Sequence, residues 1–160
     1  MDLKLLWLAL LFTVLPVTEL RVGLPLGVKF ASESNIPVFL IFLLILLTNI
    51  LMIFVIFFFL DYLHKHFMKI SIYKRLFNKY LKSFQKKVDK FESKHKASEI
   101  LGLALFVGVP LPGTGAWTGC LLAWLLKLNR KRSILGISLG VIIAGLLILF
   151  GSIGFFSLFS

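Results

Sequence analysis

The sequence predicts an all-α integral membrane protein made of two inverted units. Each unit is a re-entrant helical hairpin plus one transmembrane helix, and a cytoplasmic basic amphipathic helix joins them. Three observations predict this. Two runs, Pro37–Leu60 and Ile134–Phe156, meet the length of about 20 apolar residues that a spanning helix needs. Two further apolar regions, Leu3–Phe30 and Ile100–Leu126, are interrupted by proline and glycine. The basic residues are concentrated: residues 61–97 hold 11 of the 18 Lys and Arg, and Lys127, Arg130, Lys131 and Arg132 form a second group.

Charge sets the topology. If Ile100–Leu126 crossed the membrane completely, the two basic regions would lie on opposite sides, against the positive-inside rule. If it dips in and returns, both are cytoplasmic. The same logic makes the first broken region a hairpin from the outer face. Pro37–Leu60 then runs inward and Ile134–Phe156 runs outward, so both termini lie outside the plasma membrane. The competing reading is a four-span bundle with both termini in the cytoplasm. A cleaved signal peptide over residues 1–18 fits poorly, because no small-residue cleavage pattern follows the apolar run.

In chain order, residues 1–60 hold the first hairpin (about 3–31) and a spanning helix (about 38–60). Residues 3–15 make a short helix of roughly 20 Å, less than the core thickness of about 30 Å. The stretch Pro16–Val28 is expected to turn or unwind. It carries Glu19 and Arg21, costly charges at membrane depth. Residues two apart do not face each other on an α-helix, so sharing a side needs extended or turned backbone. Such backbone is tolerated only where protein or a wet cavity surrounds it. Ala31–Asn35 is a polar loop without basic residues.

Residues 61–97 place Leu63, Phe67, Ile70, Tyr73, Phe77, Tyr80 (or Leu81), Phe84, Val88 and Phe91 at helical spacing, with lysine on the other faces. This helix is expected to lie on anionic lipid, with Lys65, Lys69, Lys74, Arg75 and Lys79 at the membrane surface. A coiled-coil partner is the second reading. Nucleic acid is not expected, since the positive-inside rule accounts for the basic residues.

Residues 98–160 hold the second hairpin (about 98–126) and a spanning helix (about 134–156), with 127–133 as a cytoplasmic loop. Glu99 is expected to start the hairpin. Val109–Gly115 breaks it, and Thr114 is expected to cap a return helix through Ala116–Leu126. Gly136 and Gly140 offer a close-packing face. Val22-Gly23-Leu24-Pro25-Leu26 returns 85 residues later as Val107-Gly108-Val109-Pro110-Leu111. The echo is expected at the tip of each hairpin.

Short Gly/Pro-interrupted segments in matching halves point to a substrate site near the bilayer midplane. The candidate residues are Glu19, Arg21, Gly23, Pro25, Pro110, Pro112, Gly113, Thr114, Gly115 and Trp117. A helix N-terminus at each tip and the Arg21 fork favour phosphate or carboxylate. Glu19 is able to carry a proton, bind a cation or neutralise Arg21. Asn49 is expected to bond another helix. The lone Cys120 gives no disulfide or thiol metal site, and His64 and His66 do not share a helix face. No catalytic constellation is present, and no cofactor is expected.

The segments Glu19-Leu20-Arg21-x-Gly23-x-Pro25-Leu26-Gly27 and Val109-Pro110-Leu111-Pro112-Gly113-Thr114-Gly115-Ala116-Trp117-Thr118-Gly119 resemble the prokaryotic small multi-drug export membrane proteins. That family is distantly similar to the DedA (SNARE-associated, VTT-domain) superfamily. The resemblance implies two facing re-entrant hairpins and movement of lipids, including isoprenoid phosphate carriers, between leaflets. DedA-type hairpins often both carry acidic and arginine residues; here Ala104 and Phe106 stand 85 residues after Glu19 and Arg21.

The expectation is a transporter of an amphipathic anion, a phospholipid or lipid phosphate, with membrane lipids as partners and protons as a coupling ion. Two spans and two hairpins make a thin wall, so a homodimer is expected. The alternatives are a proton-coupled exporter of small molecules or ions, and a membrane scaffold working through helix 61–97.

Overall fold

The computed structural model describes residues 3–63, 69, 71, 75, 99–111 and 113–158. Among these residues every regular element is helical. The elements are α1 (Leu3–Val14), α2 (Glu19–Glu33), α3 (Val38–Phe58, extended by a wide π-turn Phe59–Leu63), α4 (Glu99–Gly108), α5 (Ala116–Leu125) and α6 (Arg130–Leu158).

The two long helices are α3 and α6. Their most apolar stretches have only 39% and 33% of residues buried inside the bundle. The core helix of a soluble protein would be mostly covered; here the uncovered faces carry Leu, Ile and Phe, as contact with lipid requires. The two run antiparallel. Phe57 lies under Arg130 at one end, and a side chain at Gly145 would touch Leu46 and Phe42 further along.

The short helices stop halfway along the long ones. Asn49, near the middle of α3, donates from Nδ2 to the Thr13 carbonyl at 3.3 Å. The end of α1 is therefore level with mid-α3. In the second half α4 lies parallel to α6: Gly136 meets Ile100, Gly140 meets Ala104 and Val107, and Gly108 meets Ile143. A Cβ on Gly140 would sit 2.8 Å from the Ala104 carbonyl oxygen, so backbone packs on backbone. Lipid tails are as apolar as leucine, so close packing and polar bonds hold such helices together.

The halves do not pack identically. In the first, α1 and α2 lie against each other. In the second, α4 is applied mainly to α6 and only lightly to α5. Leu24, Ile45, Ile53, Leu103, Leu122 and Ile137 form the buried centre.

Four local expectations are corrected. Pro16–Val28 does not unwind: only residues 15–18 turn, and helix resumes at Glu19 with Pro25 inside it. Proline removes one N–H from the ladder without ending the helix. Gly23 and Gly27 mark close contacts, with α1 and with Ile41 and Ile45. The Val-Gly-x-Pro-Leu echo consequently does not fall at both tips; the first copy lies within α2 and the second ends α4. Residues 130–133 are helical and not loop, because Asn129 starts α6: its Oδ1 accepts the Arg132 N–H. Finally, Thr114 is not the cap of α5; Gly115 holds that place and brings no side chain. The surface positions Lys65, Lys74 and Lys79 lie outside the described residues, while Lys69 and Arg75 are exposed.

Candidate functional site

A helix leaves its last four carbonyls without intrahelical partners. Away from water these groups need protein donors. The end of α1 finds all four. Leu11 receives the Leu15 N–H at 3.3 Å. Phe12 receives the Thr18 hydroxyl at 2.6 Å. Thr13 receives Asn49 Nδ2. Val14 receives the Trp117 indole N–H at 3.0 Å. Two of the donors therefore come from α3 and α5.

The start of α5 has the opposite need. Its first N–H groups are orphan donors at the positive end of the helix dipole. Glu19 meets them from the other half of the chain. Ala116 N–H donates to Oε2 at 3.0 Å and Trp117 N–H to Oε1 at 3.1 Å. The carboxylate thus does the work of an N-cap. A side chain at Gly115 would collide with that carboxylate, which explains the glycine there: its own backbone is extended and demands none. Glu19 itself has a φ of 43°, left-handed backbone that costs about 1–3 kcal/mol in a non-glycine residue. The carboxylate is buried, so this strained turn is what aims it at α5.

Arg21 reaches across as well. Its Nη2 donates to the Thr114 carbonyl and, at 2.9 Å, to the Thr114 hydroxyl oxygen. That hydroxyl also accepts the Leu111 N–H and lies 2.7 Å from the Val109 carbonyl oxygen, closing the second tip on itself. Among the described residues Glu19 and Arg21 make no ion pair with each other. Each binds the opposite tip instead.

Glu19, Arg21, Thr114, Gly115 and Trp117 are therefore brought together. A cavity of about 10 Å³, room for roughly one water molecule, lies between Glu19, Arg21, Thr114 and Gly115 on one side and Val141, Ala144 and Ile148 of α6 on the other. Gly113 supplies a left-handed turn (φ 76°) in the second tip, and Pro110 is exposed beside it. Pro112 lies outside the described residues. Gly23 packs on Ala9 and Thr13, and Pro25 sits in the second turn of α2, so neither is placed at the tip contact.

Thr18 was not among the expected residues, although a signal for it exists. Leu15-Pro16-Val17-Thr18 and Leu111-Pro112-Gly113-Thr114 match in three of four residues, 96 positions apart. Both threonine hydroxyls lie within hydrogen-bonding distance of a carbonyl at the end of the preceding arm. The same offset pairs Gly23 with Gly119. Each presses a return arm onto a first arm, Gly23 onto α1 and Gly119 onto Val107 of α4. It also pairs Glu19 with Gly115, the two positions that touch.

Among the described residues no group of three His, Cys, Asp or Glu is placed to hold a metal. No curated protein and no solved structure matches the chain. One family model does, over residues 19–147, from the capping glutamate through most of α6. By that match the chain, a multi-pass membrane protein, belongs to the family described as "Putative small multi-drug export protein".

Proposed function

We propose that the chain exports small molecules by parting and rejoining its two helix tips, with Glu19 as the group that couples cargo to protons. One observation carries this: the Glu19 carboxylate caps α5 across 97 residues of sequence. Bonds that protonation weakens suit a coupling group, and a carboxylate accepts more strongly charged than neutral. A proton or a cationic cargo on Glu19 frees α5, and the tips part. The family is one of export proteins, not of enzymes, which agrees with this reading.

The architecture proposed for this work is the inverted repeat. Each hairpin enters from one side and stops at mid-depth, residues 61–97 and 127–133 are cytoplasmic, and both termini are outside. The Leu-Pro-x-Thr pair supports it. We also assign a homodimer. The turns at Leu15–Val17 and Val109–Leu111 are exposed irregular backbone, which in the proposed topology lies at mid-depth and needs protein cover.

A second reading has its own observation. Once the tips part, the α5 N–H groups and the Arg21 fork lose their acceptors, and together they suit a phosphate. An anionic lipid or lipid phosphate would then replace Glu19, with lipid moving between leaflets.

The test uses proteoliposomes under an imposed proton gradient. Three cargoes are followed: ethidium, a fluorescent phospholipid and a polyprenyl phosphate. Ethidium efflux that Glu19→Gln abolishes supports the exporter. Lipid or polyprenyl movement without ethidium movement supports the second reading. No movement above protein-free vesicles, with folded protein, refutes both and leaves a scaffold working through helix 61–97.

A further inference from the structure

The opposite end of the bundle, where the basic residues gather, holds a larger cavity. About 230 Å³ open between α3, α5 and α6, lined by Phe57, Trp124, Lys127, Arg130 and Ser133 among others. Arg130 lies with its guanidinium 3.9 Å above the Phe57 ring and pairs with Asp61. That pairing engages one terminal nitrogen, and a guanidinium has five N–H donors. Lys127 has no acidic partner among the described residues.

The backbone at Lys127 is the informative feature. Leu128 N–H bonds the Ala123 carbonyl at 3.0 Å, and Lys127 follows the end of α5 with a φ of 52°. This is the left-handed helix-ending position that favours glycine. Only three described non-glycine residues have positive φ: Glu19, Asn35 and Lys127. Asparagine tolerates the conformation, and Glu19 is held at the tip contact. A lysine kept where glycine is easier points to its side chain.

We propose that this cavity binds the phosphate group of an anionic ligand, with Lys127 and Arg130 as its charged donors. Lys127 and Arg130 against Asp61 leave one net positive charge at the walls. Lys131 and Arg132, exposed nearby, raise the local potential further. The volume is below the roughly 300–1,000 Å³ of drug-sized sites, so it takes a head group and not a whole amphiphile. Basic pockets between helices at a membrane surface suit lipid head groups, and a soluble phosphate has the same chemistry. The site is separate from the tips and does not depend on transport.

The experiment uses the full chain in micelles of dodecyl maltoside, a detergent without phosphate. Phosphatidate binding is read by native mass spectrometry, and inorganic phosphate by thermal shift. Lys127→Gly relieves the backbone and removes the charge; Lys127→Asn is a second neutral residue that accepts the same φ. Lys131→Gln removes a charge from the same region without touching the cavity. Expected are melting temperatures for both Lys127 variants near or above wild type. Both should bind at least tenfold more weakly, while Lys131→Gln stays within twofold. Binding of phosphatidate alone identifies a lipid ligand; inorganic phosphate with the same variant pattern identifies a soluble one. Unchanged affinity in both Lys127 variants, equal loss in Lys131→Gln, or no binding of either probe to wild type overturns the site.

Discussion

The carboxylate of Glu19 fills the space that a side chain at Gly115 would need. The two positions correspond under the 96-residue offset that aligns the tips, so only one of the pair is able to carry a side chain. Gly115→Ala is expected to force Glu19 off the α5 N-terminus, lowering stability by about 1–3 kcal/mol. In Glu19→Ala the same change should cost much less. A double-mutant cycle read by thermal melting checks this, and additive effects would refute the contact.

Glu19→Gln keeps the shape but loses the charge, and one amide nitrogen then faces an N–H group. The loss expected is about 0.5–2 kcal/mol, the usual range for an N-cap. Hydrogen exchange at Ala116 and Trp117 should accelerate selectively. Unchanged protection there would remove Glu19 as the cap.

Arg21→Lys keeps the charge but loses the planar guanidinium whose Nη2 engages both oxygens of Thr114. Thr114→Val removes one of those oxygens. Each variant should increase labelling of a cysteine placed at the exposed position 111 by a membrane-permeant thiol reagent. Labelling at the wild-type rate in both would show that Arg21 does not hold the second tip.

Trp117→Phe keeps an aromatic side chain, smaller than the indole, and leaves the Val14 carbonyl without its donor. A buried unpaired carbonyl costs about 1–3 kcal/mol. The melting temperature should fall, while Trp7→Phe, on an exposed residue, should leave it unchanged. Equal effects of the two would mean the indole N–H is not needed.

Both long helices and the position of the second break were legible in the sequence; that Glu19 and Arg21 each bond the second tip and not each other was not. Asn49 bonds another helix, as its place in mid-span implied. The close-packing face at Gly136 and Gly140 was legible too, though not that α4 would occupy it. The course of the first tip was not. Proline and glycine read alike whether they break a helix or bring it close to a neighbour, and Gly23, Pro25 and Gly27 lie in a continuous one. The stronger-looking echo, Val-Gly-x-Pro-Leu, matched composition; the shorter Leu-Pro-x-Thr echo matched the turns. That Glu19 caps a helix beginning at residue 116 had no local signal, because no spacing rule reaches 97 residues along a chain.

The end of α1 carries a consequence for how the protein is made. Its carbonyls are served by Thr18, Asn49 and Trp117. The last of these, Trp117, follows the end of α1 at Val14 by 103 residues of chain. Until it is made, the nascent chain has a helix end that lipid cannot satisfy, and it is best kept near the water interface. Helix α1 is therefore the element whose end settles late, after α3 and α5 are in place to serve it.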